Sequence, residues 1–71
     1  MSRFQVGETV RWNWGDGVAT GRITERFDRK VSRRIKGHEI TRNGSAAAPA
    51  FLIEQDDGGR VLKLESELEK T

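Results

Sequence analysis

Apolar and polar residues alternate in several stretches of the chain, which is typical of short β-strands with one buried face. Val10 and Trp12 share a face of the first predicted strand, with polar neighbours between and around them. A later strand has Phe51 and Ile53 on one face and Leu52 on the other. Both stretches are short, so the pattern predicts a fold built from several brief strands.

Turn-forming residues separate these predicted strands. Residues 14–17 contain Asp-Gly, and residues 55–59 read Gln-Asp-Asp-Gly-Gly; both compositions favour tight hairpin turns. The second turn leads into a returning strand over residues 60–64, with Leu62 and Leu64 directed inward. Two hairpins are therefore predicted, one near each end of the chain.

The second predicted strand, residues 18–27, contains a glycine that favours a bend. Val18 and Ile23 have opposite parity, so one extra residue near Gly21 would bring both to the same face. Glycine inside a strand often marks such a bulge or bend. A bent second strand is how a small barrel turns its corner.

The middle of the chain gives a weaker pattern. Val31 and Ile35 are four residues apart, a spacing that fits one helical turn or one strand face, and residues 28–37 are interpreted as a loop. A short strand over residues 38–41 and a turn over residues 42–45 follow.

The last residues predict one short helical turn. Ser66 and Glu69 have the spacing of a capping box, and Leu64 and Leu68 are placed to anchor the turn to the core. Four or five short strands with turns between them predict an all-β domain. At this length we expect a single domain, residues 1–71, folded as a small, strongly bent five-stranded barrel.

Composition narrows the chemistry. The chain has 71 residues, one His and no Cys, which excludes disulfides, a thiol nucleophile and a Cys-ligated zinc site. It lacks the apolar run of a signal peptide or a membrane span, and we expect a cytoplasmic protein. No spacing of carboxylates around the one His suggests a metal site or a catalytic constellation. We therefore expect no enzyme activity, no metal and no cofactor.

Charge is divided along the chain although the net charge is only +2. Residues 22–43 hold eight basic side chains against three acidic ones, whereas residues 54–70 hold six acidic against three basic. This distribution predicts a basic and an acidic surface on opposed sides. A basic surface fits a phosphate-bearing or acidic partner, although runs of charge are also common on purely solvated loops.

Two tryptophans lie close together at the first hairpin. Alternation sends Trp12 into the core, and Trp14 precedes a turn, where we expect it to be exposed. Exposed tryptophan tends to mark a contact site. The predicted contact surface joins the hairpin of Trp12, Trp14 and Asp16 to the basic stretch, whose candidate residues are Arg29, Lys30, Arg33, Arg34, Lys36 and His38.

Two kinds of partner remain open for this surface. A protein or peptide partner fits a small interaction module in which Trp14 is exposed. A nucleic acid partner would instead use Arg29, Lys30, Arg33, Arg34 and Lys36 on phosphates, with Trp14 stacking on a base. In either case we expect a monomer.

The order and spacing of glycines and strand residues resemble a known family. The pattern begins with Phe4, Gly7, Val10, Trp12-Asn13, Gly17 and Gly21-x-Ile23, continues through Lys36-Gly37-His38-Glu39-Ile40 and Pro49-x-Phe51-Leu52-Ile53-Glu54, and ends with Gly58-Gly59, Leu62-Lys63 and Leu68. It is similar to the hypervirulence-associated TUDOR-domain family, a group of short bacterial and fungal proteins. The resemblance covers nearly the whole chain.

The resemblance implies an SH3-like barrel with a binding role and no reaction. TUDOR barrels often bind methylated lysine or arginine in an aromatic cage, and this chain has one tryptophan expected at the surface and no tyrosine. It departs from the family pattern where Phe51 replaces a frequent Tyr and where Leu62-Lys63 replaces a frequent His-Lys pair.

Overall fold

The structure, a computed structural model, describes residues 3–71 and consists almost entirely of β-strands. The first two residues of the predicted single domain lie outside the described range. The strands are β1 (Thr9–Trp14), β2 (Gly17–Phe27), β3 (Lys30–Ile35), β4 (His38–Asn43), β5 (Ala50–Glu54), β6 (Arg60–Leu64) and β7 (Glu69–Lys70), with one 3-10 turn at Glu65–Glu67. The prediction of an all-β domain with a short C-terminal helical turn is confirmed.

The strands form two antiparallel sheets. The first has five strands in the order β6-β5-β2-β1-β7, and the second is the β3–β4 hairpin. This hairpin packs against β6 without joining the larger sheet by strand pairing. The described residues thus form a barrel-like arrangement with two strands more than the five predicted.

Strand β5 lies at the centre of the packing. Four consecutive residues, Ala50 to Ile53, are buried, so both faces of the strand are covered. Phe51 and Ile53 face one side and Leu52 the other, as the alternation predicts. A strand buried on both faces reads as a continuous apolar run, and this one divides the core into two clusters.

The two clusters occupy opposite faces of β5. The Trp12 cluster consists of Phe4, Val10, Trp12, Ile23, Phe51, Ile53 and Leu68. The Phe27 cluster consists of Phe27, Val31, Ala50, Leu52 and Leu62, with Ile35, Ile40 and Leu64 half-buried against it.

A bulge in β2 lets that strand contribute to both clusters. Ile23 pairs with Ile53 and Glu25 pairs with Leu52, so Thr24 is the extra residue. The Thr24 hydroxyl donates to the Leu52 carbonyl at 3.2 Å. The bulge therefore follows Gly21 by three residues, and it does not bring Val18 to the buried face as predicted: Val18 is 58% exposed.

Residues 30–35 form strand β3, so the prediction of a loop over residues 28–37 is wrong. Val31, Arg33 and Ile35 share the face that packs on the Phe27 cluster. A two-residue turn at Lys36 and Gly37, both with positive φ (52° and 80°), closes the hairpin. These dihedrals fit a type I′ turn, which matches strand twist.

Two local boundaries also differ from the sequence prediction. Strand β4 continues through Asn43, so the predicted turn begins only at Gly44. The C-terminal turn is capped from Leu64 and not from Ser66: Glu67 Oε1 accepts from the Leu64 amide at 2.9 Å. The carboxylate reaches back three residues, and Leu68 then enters the Trp12 cluster while Leu64 stays with the other.

Gly21 is required because β2 and β5 approach closely. A Cβ atom at Gly21 would lie 2.6 Å from Ile53 Cγ2 and 2.7 Å from the Glu54 carbonyl oxygen. We predict that Gly21→Ala lowers the free energy of unfolding by about 1–3 kcal/mol, because backbone and core atoms must move. Urea denaturation measures this loss.

Gly17→Ala is the matched control, since Gly17 lies on the same strand and its Cβ would meet only the Trp14 carbonyl oxygen at 4.0 Å. We expect a change within about 0.5 kcal/mol. Equal losses for the two variants would show that a general cost of replacing glycine in this strand, and not the contact with β5, explains the loss at Gly21.

Candidate binding groove

The tips of three hairpins surround one open groove of about 470 Å³. The β1–β2 tip contributes Trp14, the β3–β4 tip contributes Lys36 and His38, and the β5–β6 tip contributes Asp57 and Arg60. The site is an open groove, and the sequence did not predict it.

The floor of the groove is apolar. Trp12 and Leu62 are buried there, and the other floor residues are half-buried: Ala19, Ile35, Ile40 and Val61. These side chains belong to both core clusters or pack against them. The floor is therefore a part of the core that the hairpin tips leave uncovered.

Trp14 stands at the mouth of the groove because of its place on β1. Val10, Trp12 and Trp14 share one strand face, and along it exposure changes from 0% and 3% to 73%. The residue opposite Trp14 is Gly17, and the one opposite Trp12 is Ala19. Trp12 is covered by the core cluster to which it belongs, whereas Trp14 ends the strand opposite a glycine that has no side chain to cover it, and it is exposed, as predicted.

A carboxylate holds two cations on the wall of the groove. Glu67 lies 3.6 Å from Arg42 Nε and 3.6 Å from Lys63 Nζ, and both cations line the groove. Arg42 belongs to the basic middle of the chain and Glu67 to the acidic end. The two charged segments meet here, so the prediction of two opposed surfaces fails at this pair.

Four of the nine predicted contact residues line the groove: Trp12, Trp14, Lys36 and His38. Asp16 lies in the turn after Trp14, beyond the lining. The structure thus brings the first hairpin and the tip of the basic stretch together at the groove.

The remaining basic residues face elsewhere. The guanidinium carbons of Arg33 and Arg29 lie 4.7 and 5.8 Å from the Phe27 ring centroid, and Arg33 also reaches Glu25 at 4.0 Å. Lys30 and Arg34 alternate with Arg33 along β3 and lie on its opposite face. These four cations are therefore divided between two faces of one hairpin.

Sequence reasoning missed the contribution of β4 and β6 to the groove. Ile40, Arg42, Arg60 and Val61 line it, but they lie far from the tryptophans in sequence. The turns of the β1–β2 and β5–β6 hairpins were predicted, whereas the β3–β4 turn lay in the stretch interpreted as a loop. That three turns meet at one place depends on long-range packing, for which the chain carries no local pattern.

We predict that Glu67→Ala lowers the free energy of unfolding by about 1 kcal/mol, because the Leu64 amide loses its acceptor. Glu67→Gln retains an oxygen acceptor and removes only the charge, and ion pairs that are still partly exposed to water contribute little. Chemical denaturation of both variants measures the difference. If Glu67→Gln is as destabilised as Glu67→Ala, the ion pairs with Arg42 and Lys63 dominate instead.

Comparison with known proteins agrees with this fold. The family model described as the hypervirulence associated proteins TUDOR domain matches residues 7–68, a range that contains every residue lining the groove. No curated protein and no solved structure matches the chain. The described part of the chain also has no helix of the length and apolar character needed to cross a membrane. The family match confirms the resemblance seen in the sequence, and the chain belongs to the hypervirulence-associated TUDOR-domain family.

Proposed function

We propose that this TUDOR-type domain is a non-catalytic binding module that receives a protein or peptide segment in the groove between its three hairpin tips. The observation that carries the proposal is Trp14, which is 73% exposed beside an apolar floor. Transfer of a large aromatic side chain out of water is favourable, and tryptophan is enriched among the interface residues that contribute most to binding. A ligand that covers Trp14 and the floor is stabilised by this transfer.

The dimensions of the groove support a role in binding. Its volume of about 470 Å³ lies within the range of about 300–1,000 Å³ typical of ligand sites. It also combines an apolar floor with a few polar groups at the rim, the usual composition of such sites.

The side chains at the rim favour binding over catalysis. The two groups suited to proton transfer, His38 and Asp57, stand on the tips of different hairpins. Asp57 Oδ1 accepts from the Gly59 amide at 2.8 Å, so it serves to shape the turn. General acid–base work requires groups held within hydrogen-bond reach of a reacting atom, and a turn-forming carboxylate is a poor candidate.

An aromatic cage for methylated lysine has less support than a groove for a peptide. Only Trp12 and Trp14 among the aromatic residues line the groove, while Phe4, Phe27 and Phe51 are buried in the two clusters. A cage surrounds a cation with several aromatic faces. Here the second tryptophan is buried, and cationic side chains stand at the rim.

A nucleic acid partner remains the second candidate because Lys30 and Arg34 are exposed and form no ion pair with a described residue. They lie on the face of β3 opposite to Arg33, so the predicted phosphate contacts do not converge beside Trp14. Titration with single- and double-stranded DNA and RNA at low salt tests this candidate. Binding that Lys30→Ala and Arg34→Ala weaken, with Trp14→Ala neutral, would favour it over the groove.

We predict that Trp14→Ala abolishes peptide binding while changing the free energy of unfolding by less than about 0.5 kcal/mol, since the side chain is mostly exposed. The measurement is selection from a random peptide library on the immobilised protein, followed by titration of the recovered peptides. Val18→Ala is the matched control: Val18 is an exposed apolar residue on the same hairpin, opposite Asn13 and outside the groove.

Peptides that bind the wild-type protein and the Val18→Ala variant, and not the Trp14→Ala variant, would support the groove. Recovery of no peptide, or of peptides that Trp14→Ala retains at full affinity, would contradict the proposed function. Trp12→Ala is unsuited to this test, because removing a buried tryptophan costs about 3–5 kcal/mol of stability.

A further inference from the structure

The groove carries an excess of positive charge. Four Lys or Arg side chains line it against one acidic side chain, Asp57. Glu67 pairs with Arg42 and Lys63 at 3.6 Å each. Lys36 and Arg60 form no ion pair with any described residue, so these two cations are available to a ligand.

We propose that the groove binds an extended acidic peptide segment whose central residue is a bulky apolar side chain. The inference rests on the proposed function and names the chemistry of its ligand. The apolar side chain lies on the floor under Trp14, and flanking carboxylates pair with Lys36 and Arg60.

The positions of the two cations fit such a segment. Lys36 is at the β3–β4 tip and Arg60 begins β6 at the β5–β6 tip, so they come from different hairpins with the apolar floor as a common lining. An anionic residue on either side of an apolar anchor can thus reach a cation. Complementary charge of this kind directs the encounter and excludes partners of the wrong sign.

The unpaired edge of β6 favours an extended main chain in the ligand. β6 is an edge strand of the five-stranded sheet. The Gln55 amide donates to the Gly59 carbonyl, and the Glu65 amide donates to the Pro49 carbonyl. Since hydrogen-bonded and non-hydrogen-bonded pairs alternate along an antiparallel ladder, the N–H and C=O groups of Arg60 and Leu62 point away from β5.

The third outward-facing amide on this edge, that of Leu64, already has a side-chain acceptor in Glu67, at 2.9 Å. The edge beside the groove, at Arg60 and Leu62, has no equivalent cap among the described residues. An added peptide strand satisfies such an edge with main-chain hydrogen bonds, while alternate side chains enter the adjoining pocket. A nucleic acid offers no matching row of amides.

The test is fluorescence anisotropy with two labelled peptides of about twelve residues, each with a central Leu-Phe-Leu. One peptide has Glu and Asp at the flanking positions, and the other has Lys at the same positions. The wild-type protein should bind the acidic peptide, and added salt should weaken that binding because exposed charges are screened. The Lys peptide should bind at least about tenfold more weakly.

Charge reversal locates the binding surface. The double substitution Lys36→Glu with Arg60→Glu should weaken binding of the acidic peptide by about tenfold or more. The matched control is Lys30→Glu with Arg34→Glu, which makes the same change in net charge on the outer face of β3 and should alter the affinity by less than about threefold. Thermal unfolding checks that each variant is folded, and Lys36→Gln with Arg60→Gln gives a milder version of the same test.

Three results would overturn the inference. Equal weakening by the two double reversals would show a general attraction to a basic protein. Preference for the Lys peptide, with binding still dependent on Trp14, would leave the proposed binding function intact and reverse the sign of its ligand. Failure of both peptides, combined with recovery of uncharged Trp14-dependent peptides from the library, would show that the groove binds without the charges.

Discussion

The burial of β5 on both faces is the constraint on which this small domain depends. A chain of 71 residues hides only about 60% of its unfolded surface on folding, and this one has no disulfide to compensate. Residues Ala50 to Ile53 supply buried side chains to both clusters. One short strand thereby contributes buried side chains to two apolar clusters.

Two further features follow from this arrangement. Strand β2 pairs with β5 and therefore also contributes to both clusters. The bulge at Thr24 places Ile23 in the Trp12 cluster and Phe27 in the Phe27 cluster. The β3–β4 hairpin then covers Leu52 and Leu62 through side chains alone. Since that hairpin is not joined to β6 by strand pairing, the outer edge of β6 remains unpaired beside the groove in the described part of the chain.

The sequence predicts the parts of this fold that are local. Alternation places Phe51 and Ile53 on one face, and the turn residues of 14–17 and 55–59 predict their hairpins correctly. The same reasoning fails for β3. Val31 and Ile35 fit a helix as well as a strand, and the deciding contacts come from distant residues, including Leu52 and Leu62. The Arg33 side chain on the Phe27 ring is a contact that charge patterning counts as solvated surface.

The candidate site shows the same difference between local features, which the sequence predicts, and long-range ones, which it does not. Trp14, Lys36 and His38 were predicted from local signals, namely a tryptophan before a turn and a run of basic residues. Arg60 lies in a segment with a negative net charge, so the net charge of that segment gives no sign of a cation at the groove.

Packing brings together individual charges from both segments, so the residues that make a surface basic differ from those that the segment totals indicate. Glu67 neutralises part of the charge of Arg42 and Lys63, while Arg60 joins Lys36 at the groove. The basic character of the surface near Trp14 therefore arises from two hairpin tips that meet in the fold. The net charge of the basic middle segment contributes little to it, because Arg29 and Arg33 stack on Phe27 and Lys30 and Arg34 face away from Arg33 on the other side of β3.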